Sequence, residues 1–331
     1  QELFGSHHCN LARIEQLLKV IIHPRGNLLK LMGEEQAVNK ANDVLALLYK
    51  RLEHGLKVNK EDIDAAVRMP NKREANDESF SAMIKTANKL VLPRSAMQVA
   101  YLRSVDEHKL VFAEGPAGTG KTYLAVAKAV EYLVRGEVDR IILSRPAVEA
   151  GEQLGFLPGD MRDKVDPYLR PLYDALNDML PLHQVTKRLE TGEIEVAPLA
   201  FMRGRTLSNA FVILDEAQNT SPIQMKMFLT RLGENSRMVI TGDLSQVDLP
   251  RGVWSGLRDA MRTLHDVKGL AFVRFDSTDV IRHSLVAKIV EAYGKVECCH
   301  SSSSNYNQFH HNNTSEKEQT NDFWEKGDET I

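Results

Sequence analysis

From residue 92 to residue 296 the chain alternates short apolar runs with stretches of helical pattern. Strands that alternate with helices form parallel sheets, because each crossover helix packs against a face of the sheet and both faces become covered. The alternation therefore predicts an α/β fold with a parallel sheet. Six runs are expected to provide its strands: KLVFAEG, RIILSRP, EVAPLAF, AFVILDEA, RMVITGD and LAFVRF.

The segment before this region predicts a small α+β unit over residues 1–55. NLARIEQLLKVII begins with helical spacing and becomes strand-like, LLKLMG is a second strand candidate, and the next helix ends at Gly55, a common helix terminator. Residues 56–91 are polar and charged and are expected to be a connector to the main domain at 92–296. Residues 297–331 contain too few apolar side chains for a core, which predicts a disordered tail.

Composition limits the function classes. The formal net charge of −3 gives no strong basic field of the kind that marks many nucleic-acid-binding proteins, although a local basic face is compatible with it. No apolar run approaches the roughly 20 residues of a membrane helix, so no membrane partner is expected. The three cysteines form no CxxC pair, which is typical of reduced, cytoplasmic proteins.

The sequence GPAGTGKT matches G-x-x-x-x-G-K-[ST] in full and lies between a predicted strand and a predicted helix. Glycines let successive backbone N–H groups turn toward phosphate oxygens, and the helix N-terminus adds partial positive charge. Lys121 can reach the β- and γ-phosphates, and the Thr122 hydroxyl can coordinate Mg²⁺. The motif predicts a nucleoside triphosphate site whose cradle comprises Gly115, Pro116, Ala117, Gly118, Thr119, Gly120, Lys121 and Thr122.

Two acidic residues end a later apolar run, AFVILDEAQ. Asp215 closes a predicted buried strand, a position from which a carboxylate can hold a Mg²⁺ ion. Glu216, next to it, can act as the general base that activates water. Because a simple nucleotide kinase uses its acceptor substrate as the nucleophile and needs no such glutamate, the Asp-Glu pair favours hydrolysis.

A further strand candidate, in VITGDLSQVDLP, ends in polar residues. Since ligands bind at the carboxyl ends of parallel strands, Thr241, Asp243 and Gln246 are expected at the same edge of the sheet as the phosphate cradle. A glutamine at this place can orient the attacking water or respond to the γ-phosphate.

In order, GPAGTGKT, SRPAVEAGEQLGFLPGDMRDKVDPYLRPLYDAL, FVILDEAQNT and ITGDLSQVDLP resemble the motifs of the PhoH-like ATPase family. The likeness covers residues 93–296, and Leu11–Leu52 is similar to the small KH-like part of that family. The resemblance implies a RecA-like P-loop domain related to superfamily-one helicases, with ATP and Mg²⁺ as cofactors. There are two departures. Glu114 lies where the family usually has a small or apolar residue, so we expect it to point away from the phosphates, and the G-x-x-G signature of KH domains is absent.

The same resemblance implies roles for individual residues. In related helicases a glutamine upstream of the cradle reads the adenine edge, and Gln98 in LPRSAMQ is the candidate here. Gly242, together with Asp243 and Gln246, matches the motif that senses the γ-phosphate. Arg282 in STDVIRHSLV corresponds to an arginine finger, which provides positive charge as the γ-phosphate leaves. The expected catalytic set is Lys121, Glu216, Gln246 and Arg282.

Three uses of the nucleotide are open at this point. The first is binding or remodelling of single-stranded RNA, with Arg145, Arg203 and Arg205 as candidate phosphate contacts. The second is a nucleotide-gated switch or scaffold that acts on a protein partner. The third is a kinase, which the Asp-Glu pair and Gln246 disfavour. Because no second RecA-like domain is visible, we expect a homo-oligomeric ring, a hexamer, in which Arg282 acts on the ATP of a neighbouring copy.

Overall fold

The computed structural model describes residues 2–26, 28–68, 81–146, 161–250 and 252–280, with the backbone alone over residues 161–167. The predicted arginine finger, Arg282, and the tail expected at 297–331 lie outside this part of the chain. Of the helices within it, none has both the length and the apolar character needed to cross a membrane.

The first five elements form a small α+β unit with its own core. They are α1 (Cys9–Leu18), β1 (Ile21–Arg25), β2 (Leu28–Met32), α2 (Glu35–Glu53) and α3 (Lys60–Arg68). Strands β1 and β2 pair antiparallel. Helix α2 buries Val44, Leu45 and Leu48, the spacing of a helix with one apolar face, and these join Leu11 and Ile14 of α1 in one buried cluster.

Helix α3 lies within residues 56–91, which the sequence predicted to be a connector. Its Ile63 is fully buried and, with Ala66, belongs to the core of the N-terminal unit. The described residues of this segment also include a short antiparallel pair, β3 (Ile84–Lys85) and β4 (Leu90–Val91). Residues 60–68 are therefore part of the N-terminal packing.

Six parallel strands form the central sheet, as the alternation of runs predicted. They are β5 (Leu110–Glu114), β6 (Arg140–Arg145), β7 (Ile194–Pro198), β8 (Ala210–Leu214), β9 (Arg237–Gly242) and β10 (Leu270–Arg274). Their order across the sheet is β10-β5-β9-β8-β6-β7. Because β9 lies between β5 and β8, the carboxyl ends of these three strands share one edge of the sheet.

Helices cover both faces of this sheet. They are α4 (Ala96–Glu107), α5 (Lys121–Val134), α6 (Met161–Met179), α7 (Leu182–Glu190), α8 (Pro222–Leu229) and α9 (Gly256–Thr263). Successive strand residues point to opposite faces. Val111 and Ala113 therefore pack in one buried cluster with α4 to α7, while Phe112 packs in the other with α8 and α9. This two-sided covering fixes the strand ends that carry the site.

Candidate nucleotide site

The loop between β5 and α5 carries the glycine-rich sequence that predicts a phosphate cradle. It begins at Gly115, whose φ of 146° lies in the region that favours glycine, and a Cβ there would lie 2.5 Å from the carbonyl oxygen of Phe275. Helix α5 begins at Lys121, so the free N–H groups of its first turn lie at the end of the loop. Glu114, just before the loop, accepts a hydrogen bond from Arg274 Nε at 2.9 Å, which agrees with its expected orientation away from the phosphates.

Lys121 ties the two ends of this loop together. Its Nζ donates to the carbonyl oxygens of Gly115 at 2.6 Å and Pro116 at 2.8 Å, and the residue is 7% exposed. Burial lowers the pKa of Lys121, although the neighbouring carboxylates, Asp243 foremost, oppose this effect. A bound phosphate would stabilise the charged form of the amine further.

Asp215 lies directly after β8 and meets the loop. Its Oδ1 accepts hydrogen bonds from the hydroxyls of Thr122 at 2.6 Å and Thr241 at 2.8 Å. These are hard oxygen ligands, and Mg²⁺ commonly takes one or two protein oxygens and completes its shell with phosphate oxygens and water. In keeping with this, the described residues contain no group of three or more His, Cys, Asp or Glu side chains that could hold a metal by themselves. Thr122 and Asp215 therefore fit a Mg²⁺ ion that arrives with a nucleotide.

Glu216 follows with a left-handed backbone, at φ 51° and ψ 40°. A non-glycine residue in this conformation is strained by about 1–2 kcal/mol. Gln218 Nε2 donates to Glu216 Oε2 at 2.6 Å, and Arg145 Nη2 lies 3.7 Å from Oε1. The carboxylate is thus held from two sides where it lines the same cavity as the phosphate cradle.

Gln218 is fully buried and connects the Asp-Glu segment to the loop after β9. Besides its contact with Glu216, its Nε2 donates to the carbonyl oxygen of Gln246 at 3.0 Å, and its Oε1 accepts the N–H of Asp243 at 3.0 Å. Gly242 leaves room for this amide, since a Cβ there would lie 2.9 Å from Gln218 Oε1. The sequence analysis missed this residue. Its only signal was a polar side chain two positions after the proposed base in DEAQ.

Asp243 closes the cradle from the end of β9. Its Oδ2 accepts the N–H of Ala117 at 3.0 Å, and its Oδ1 accepts from the N–H of Ser245 at 2.9 Å and from the hydroxyl of Ser245 at 2.6 Å. Gln246 follows with an exposed side chain and lines the phosphate cavity. The structure thus brings Thr241, Asp243 and Gln246 to the edge of the sheet where the cradle lies.

A cavity of about 720 Å³ occupies this edge. Its lining among the described residues carries more carboxylates than cations, because only Lys121 and Arg145 are positive. The carboxylates are Asp174, Asp178, Asp215, Glu216 and Asp243. A bare triphosphate would be repelled by this excess, so the electrostatics favour a nucleotide that carries a divalent cation.

Gln98 is buried against the cradle and uses both ends of its amide. Its Oε1 accepts the N–H of Arg94 at 2.6 Å, and its Nε2 donates to the carbonyl oxygen of Thr119 at 2.9 Å. The side chain therefore braces the loop against the segment that precedes α4, a role that the sequence analysis did not anticipate. Its contact with the adenine edge stays a prediction.

The three arginines that the sequence analysis grouped on a nucleic-acid face have different surroundings. Arg145 lies in the phosphate cavity, 3.7 Å from Asp215 Oδ2. Arg205 donates both guanidinium Nη groups to the carboxylate of Glu195, at 2.6 and 2.7 Å, while Arg203 is exposed. Arg145 and Arg205 therefore each have a carboxylate partner, and contact of the three arginines with nucleic-acid phosphates stays a prediction. The sequence did not show these partners, because Asp215 follows a neighbouring strand and Glu195 lies on β7.

A glycine-rich loop between a strand and a helix, closed by a lysine and backed by a strand-end aspartate, is the arrangement of P-loop NTPases. Within that class, the chain belongs to the PhoH-like protein family, whose sequence profile matches residues 90–294. This match confirms the resemblance of the motifs.

Relatives of known name agree with this assignment. A PhoH-like protein of Bacillus subtilis (strain 168) is 50% identical over 299 residues, which cover 88% of this chain and 93% of the relative. A PhoH-like protein of Synechocystis is 46% identical over 301 residues, or 89% and 91% of the two chains. Protein PhoH of Escherichia coli (strain K12) is 49% identical over 205 residues, which cover 61% of this chain and 58% of that protein.

Proposed function

We propose that this protein is a Mg²⁺-dependent ATPase in which Glu216 activates the water that attacks the γ-phosphate. One observation carries the proposal: Glu216 is held in a strained left-handed conformation, and by Gln218, at the wall of the phosphate cavity. Backbone strain of this kind persists where the surrounding structure over-determines it, and it concentrates at functional sites. A carboxylate fixed beside a phosphate cradle suits general-base chemistry.

The other residues bind and orient the nucleotide. Lys121 and the N–H groups at the start of α5 contact the phosphate oxygens, as the charge of the lysine and the positive end of the helix favour. Thr122 and Asp215 would hold the Mg²⁺ ion. When bound, this ion neutralises phosphate charge and so favours the departure of ADP.

In the hydrolytic step, the Glu216 carboxylate accepts a proton from water while the water oxygen bonds to the γ-phosphorus. The bond between that phosphorus and the bridging oxygen breaks, and ADP leaves with the electron pair. Arg145 Nη2 lies 3.7 Å from the Glu216 carboxylate and helps to position the base before the transfer. Gln246 orients the water or responds to the γ-phosphate. Gln218 connects the loop that carries Gln246 to the Glu216 base.

Two substitutions with different outcomes test this assignment. Lys121→Ala should weaken ATP binding, because the phosphates lose their cationic partner. Glu216→Gln should bind ATP normally but lower kcat by about 10²–10⁴-fold, the usual contribution of a general base. Calorimetric binding and phosphate release would measure the two effects, with Glu107→Gln, an exposed glutamate on α4, as the matched control. Normal turnover by Glu216→Gln would contradict the proposal.

We further propose that single-stranded RNA is the polymer coupled to hydrolysis. The motif resemblance to superfamily-one helicases supports this coupling, and of the three candidate phosphate contacts Arg203 is the exposed one. ATPase rates should rise when single-stranded RNA is added, and the stimulation should fall with increasing salt, because phosphate contacts release counterions. Arg203→Ala should reduce the stimulation and leave the basal rate unchanged.

Absence of RNA stimulation would favour a nucleotide-gated switch that acts on a protein partner. The exposed apolar side chains of Ile223, Val253 and Trp254 support this alternative. They lie on the two segments that the hydrogen bond from Gly256 N to Thr220 O joins, at 2.6 Å. Exposed apolar groups of this kind are common where proteins bind one another.

We also propose a hexameric ring in which Arg282 acts on the ATP of the neighbouring copy. In the part of the phosphate cavity that the structure describes, Arg145 is the one arginine, and it faces Asp215 and Glu216. The positive charge that stabilises the γ-phosphate as it leaves is therefore expected from another arginine.

Mixing two inactive variants tests the ring. Arg282→Ala subunits keep intact cradles, and Lys121→Ala subunits keep intact arginines. If Arg282 acts across the interface, mixed assemblies regain ATPase activity. Failure of every mixture to recover activity, or full activity of a monomer in light scattering, would contradict the ring.

A further inference from the structure

A second cavity, of about 380 Å³, opens on the other side of the phosphate cradle. Gly118, Gly120 and Tyr123 line both cavities, so a molecule bound at the cradle can extend from one to the other. The wall of the second cavity is apolar over Leu90–Leu92 and Leu124, and it includes the Tyr123 ring. Tyr123 is fixed by a hydrogen bond to Asp178 Oδ2 at 3.2 Å. An apolar wall with one aromatic ring suits a flat heterocyclic group.

One polar residue of this cavity comes from the N-terminal unit. Arg51, near the end of α2, lines the cavity with a side chain that is 14% exposed. Its Nη2 lies 2.9 Å from Asp62 Oδ1, but its Nε is buried and has no hydrogen-bond partner within the described residues. An unmet donor in a buried arginine is unfavourable, so packing within the chain does not by itself explain an arginine at this position.

The same carboxylate serves a second arginine of the cavity. Arg94 Nη2 lies 3.2 Å from Asp62 Oδ1, so two guanidinium groups share one carboxylate and leave one positive charge in excess. Burial lowers the pKa of Arg51, and the charge of Arg94 adds to this effect. The third cation of the lining, Lys89, is already paired with Asp178. The excess charge therefore belongs to the arginine pair and favours an electron-rich acceptor.

This arginine pair is connected to the phosphate cradle. The backbone N–H of Arg94 donates to Gln98, and Gln98 donates to the carbonyl oxygen of Thr119 in the cradle. Asp62 thus links Arg51 of the N-terminal unit, through Arg94 and Gln98, to the loop that binds phosphate. Because each end of the Gln98 amide already bonds within the chain, Arg51 and Arg94 are the better-placed donors for a ligand in this cavity.

We propose that Arg51 is a nucleotide-binding residue contributed by the N-terminal unit, and that with Arg94 it binds the ribose-and-base end of the ATP held at the cradle. The proposal rests on the ATP site proposed above and extends it to a part of the chain outside the P-loop domain. The Tyr123 ring and the leucine wall contact the base, while the guanidinium N–H groups donate to ring nitrogens or ribose oxygens. By reciprocity, ATP then strengthens the docking of the N-terminal unit on the P-loop domain.

The test compares two ligands that share phosphates but differ at the other end. Binding of Mg²⁺–ATP and of Mg²⁺–inorganic triphosphate would be measured by calorimetry for the wild type and Arg51→Gln. Loss of a hydrogen bond from a charged donor should raise the Kd for ATP about tenfold. The Kd for inorganic triphosphate should not change, because this ligand has no ribose or base. Arg51→Lys, which keeps the charge, should show a smaller loss of affinity for ATP and no loss for inorganic triphosphate. This variant replaces Arg51→Gln in the test if Arg51→Gln does not fold.

The chain offers a matched control in the same unit. Arg13 is paired with Asp64 at 3.0 Å, between α1 and α3, and lines neither cavity. Arg13→Gln should lose comparable thermal stability to Arg51→Gln but bind both ligands like the wild type. Unchanged ATP affinity in both Arg51 variants, or an equal loss for both ligands, would overturn the proposal. Lys121→Ala should weaken the binding of both ligands. If it weakens the binding of neither, the assignment of the ATP site itself is wrong.

Discussion

At its phosphate end the candidate nucleotide site is made from one continuous loop and the ends of neighbouring strands in one sheet. At its other end, which we infer to hold ribose and base, it is made from side chains of distant segments: α2, the residues around β4, and α5. Asp215 meets Thr122 at 2.6 Å inside a rigid, buried sheet edge, whereas Arg51 meets Asp62 across two helices of a separate small core.

This difference in construction predicts a difference in sensitivity. Backbone N–H groups and strand ends cannot be repositioned without disturbing the central sheet, so changes at the phosphate end should affect chemistry strongly. Long side chains at the other end can adjust, so changes there should alter affinity by degrees.

Asp215→Asn should lower ATPase activity by about 10³-fold, because a metal ligand is worth several kcal/mol of transition-state stabilisation. The neutral amide keeps the shape but should also raise the Mg²⁺ concentration needed for half-maximal rate. A Mg²⁺ titration of the ATPase rate measures both effects. The control is Asp174→Asn, which lines the same cavity without contacting Thr122, and it should retain most activity. Equal losses in the two variants would show that cavity charge, rather than the Asp215–Thr122 pair, is what matters.

Gln218→Ala should lower kcat by about 10- to 100-fold and leave the KM for ATP little changed, because the residue positions Glu216 without touching phosphate. Gln224→Ala, which removes a cap of α8, is the matched control and should cost about 1 kcal/mol of stability with kcat unchanged. A KM effect without a kcat effect would remove Gln218 from the positioning role.

Gln98→Ala breaks the contact that joins the two ends of the site. It leaves the Arg94 N–H and the Thr119 carbonyl without their partner, so we expect a loss of about 1–3 kcal/mol in the free energy of unfolding. The affinity for ATP should fall, and so should the affinity for inorganic triphosphate, because the brace acts on the cradle itself. A loss confined to ATP would instead support the predicted contact of Gln98 with adenine.

Arg205 lies outside both ends of the site, so Arg205→Gln should have the smallest effect on stability and on the ATPase rate. Its pair with Glu195 is partly exposed, and such pairs contribute about 0–1 kcal/mol. Thermal unfolding and basal ATPase rates should therefore remain close to the wild type. A large loss of basal ATPase activity would show instead that the surface around β7 is energetically coupled to the nucleotide site.

The phosphate end could be predicted from the sequence because its chemistry is local. GPAGTGKT specifies its own backbone, and Asp215 and Asp243 each follow an apolar run whose parallel pairing places them at one edge. The six strands were predicted for the same reason, since their apolar character reflects burial on both faces.

What the sequence did not reveal depends on tertiary partners. Arg145 and Arg205 were predicted to contact nucleic-acid phosphates, and the sequence did not show their carboxylate partners, Asp215 and Glu195. Gln218 carries no distinguishing neighbour pattern, and its role appears only when the loop after β9 lies beside it. The segment that contains α3 was predicted to be a connector, so the sequence did not show that this helix packs in the N-terminal core or that Asp62 joins the unit to Arg94.

The left-handed conformation of Glu216 also implies a trade-off between durability and chemistry. Glycine adopts φ 51° without steric penalty, so Glu216→Gly should relieve backbone strain. The free energy of unfolding should rise by up to about 1 kcal/mol, and the unfolding temperature should rise with it. The same change would remove the proposed base. Selection for stability alone would favour glycine at this position. The glutamate therefore lowers the stability of the fold by a small amount and keeps one carboxylate in place.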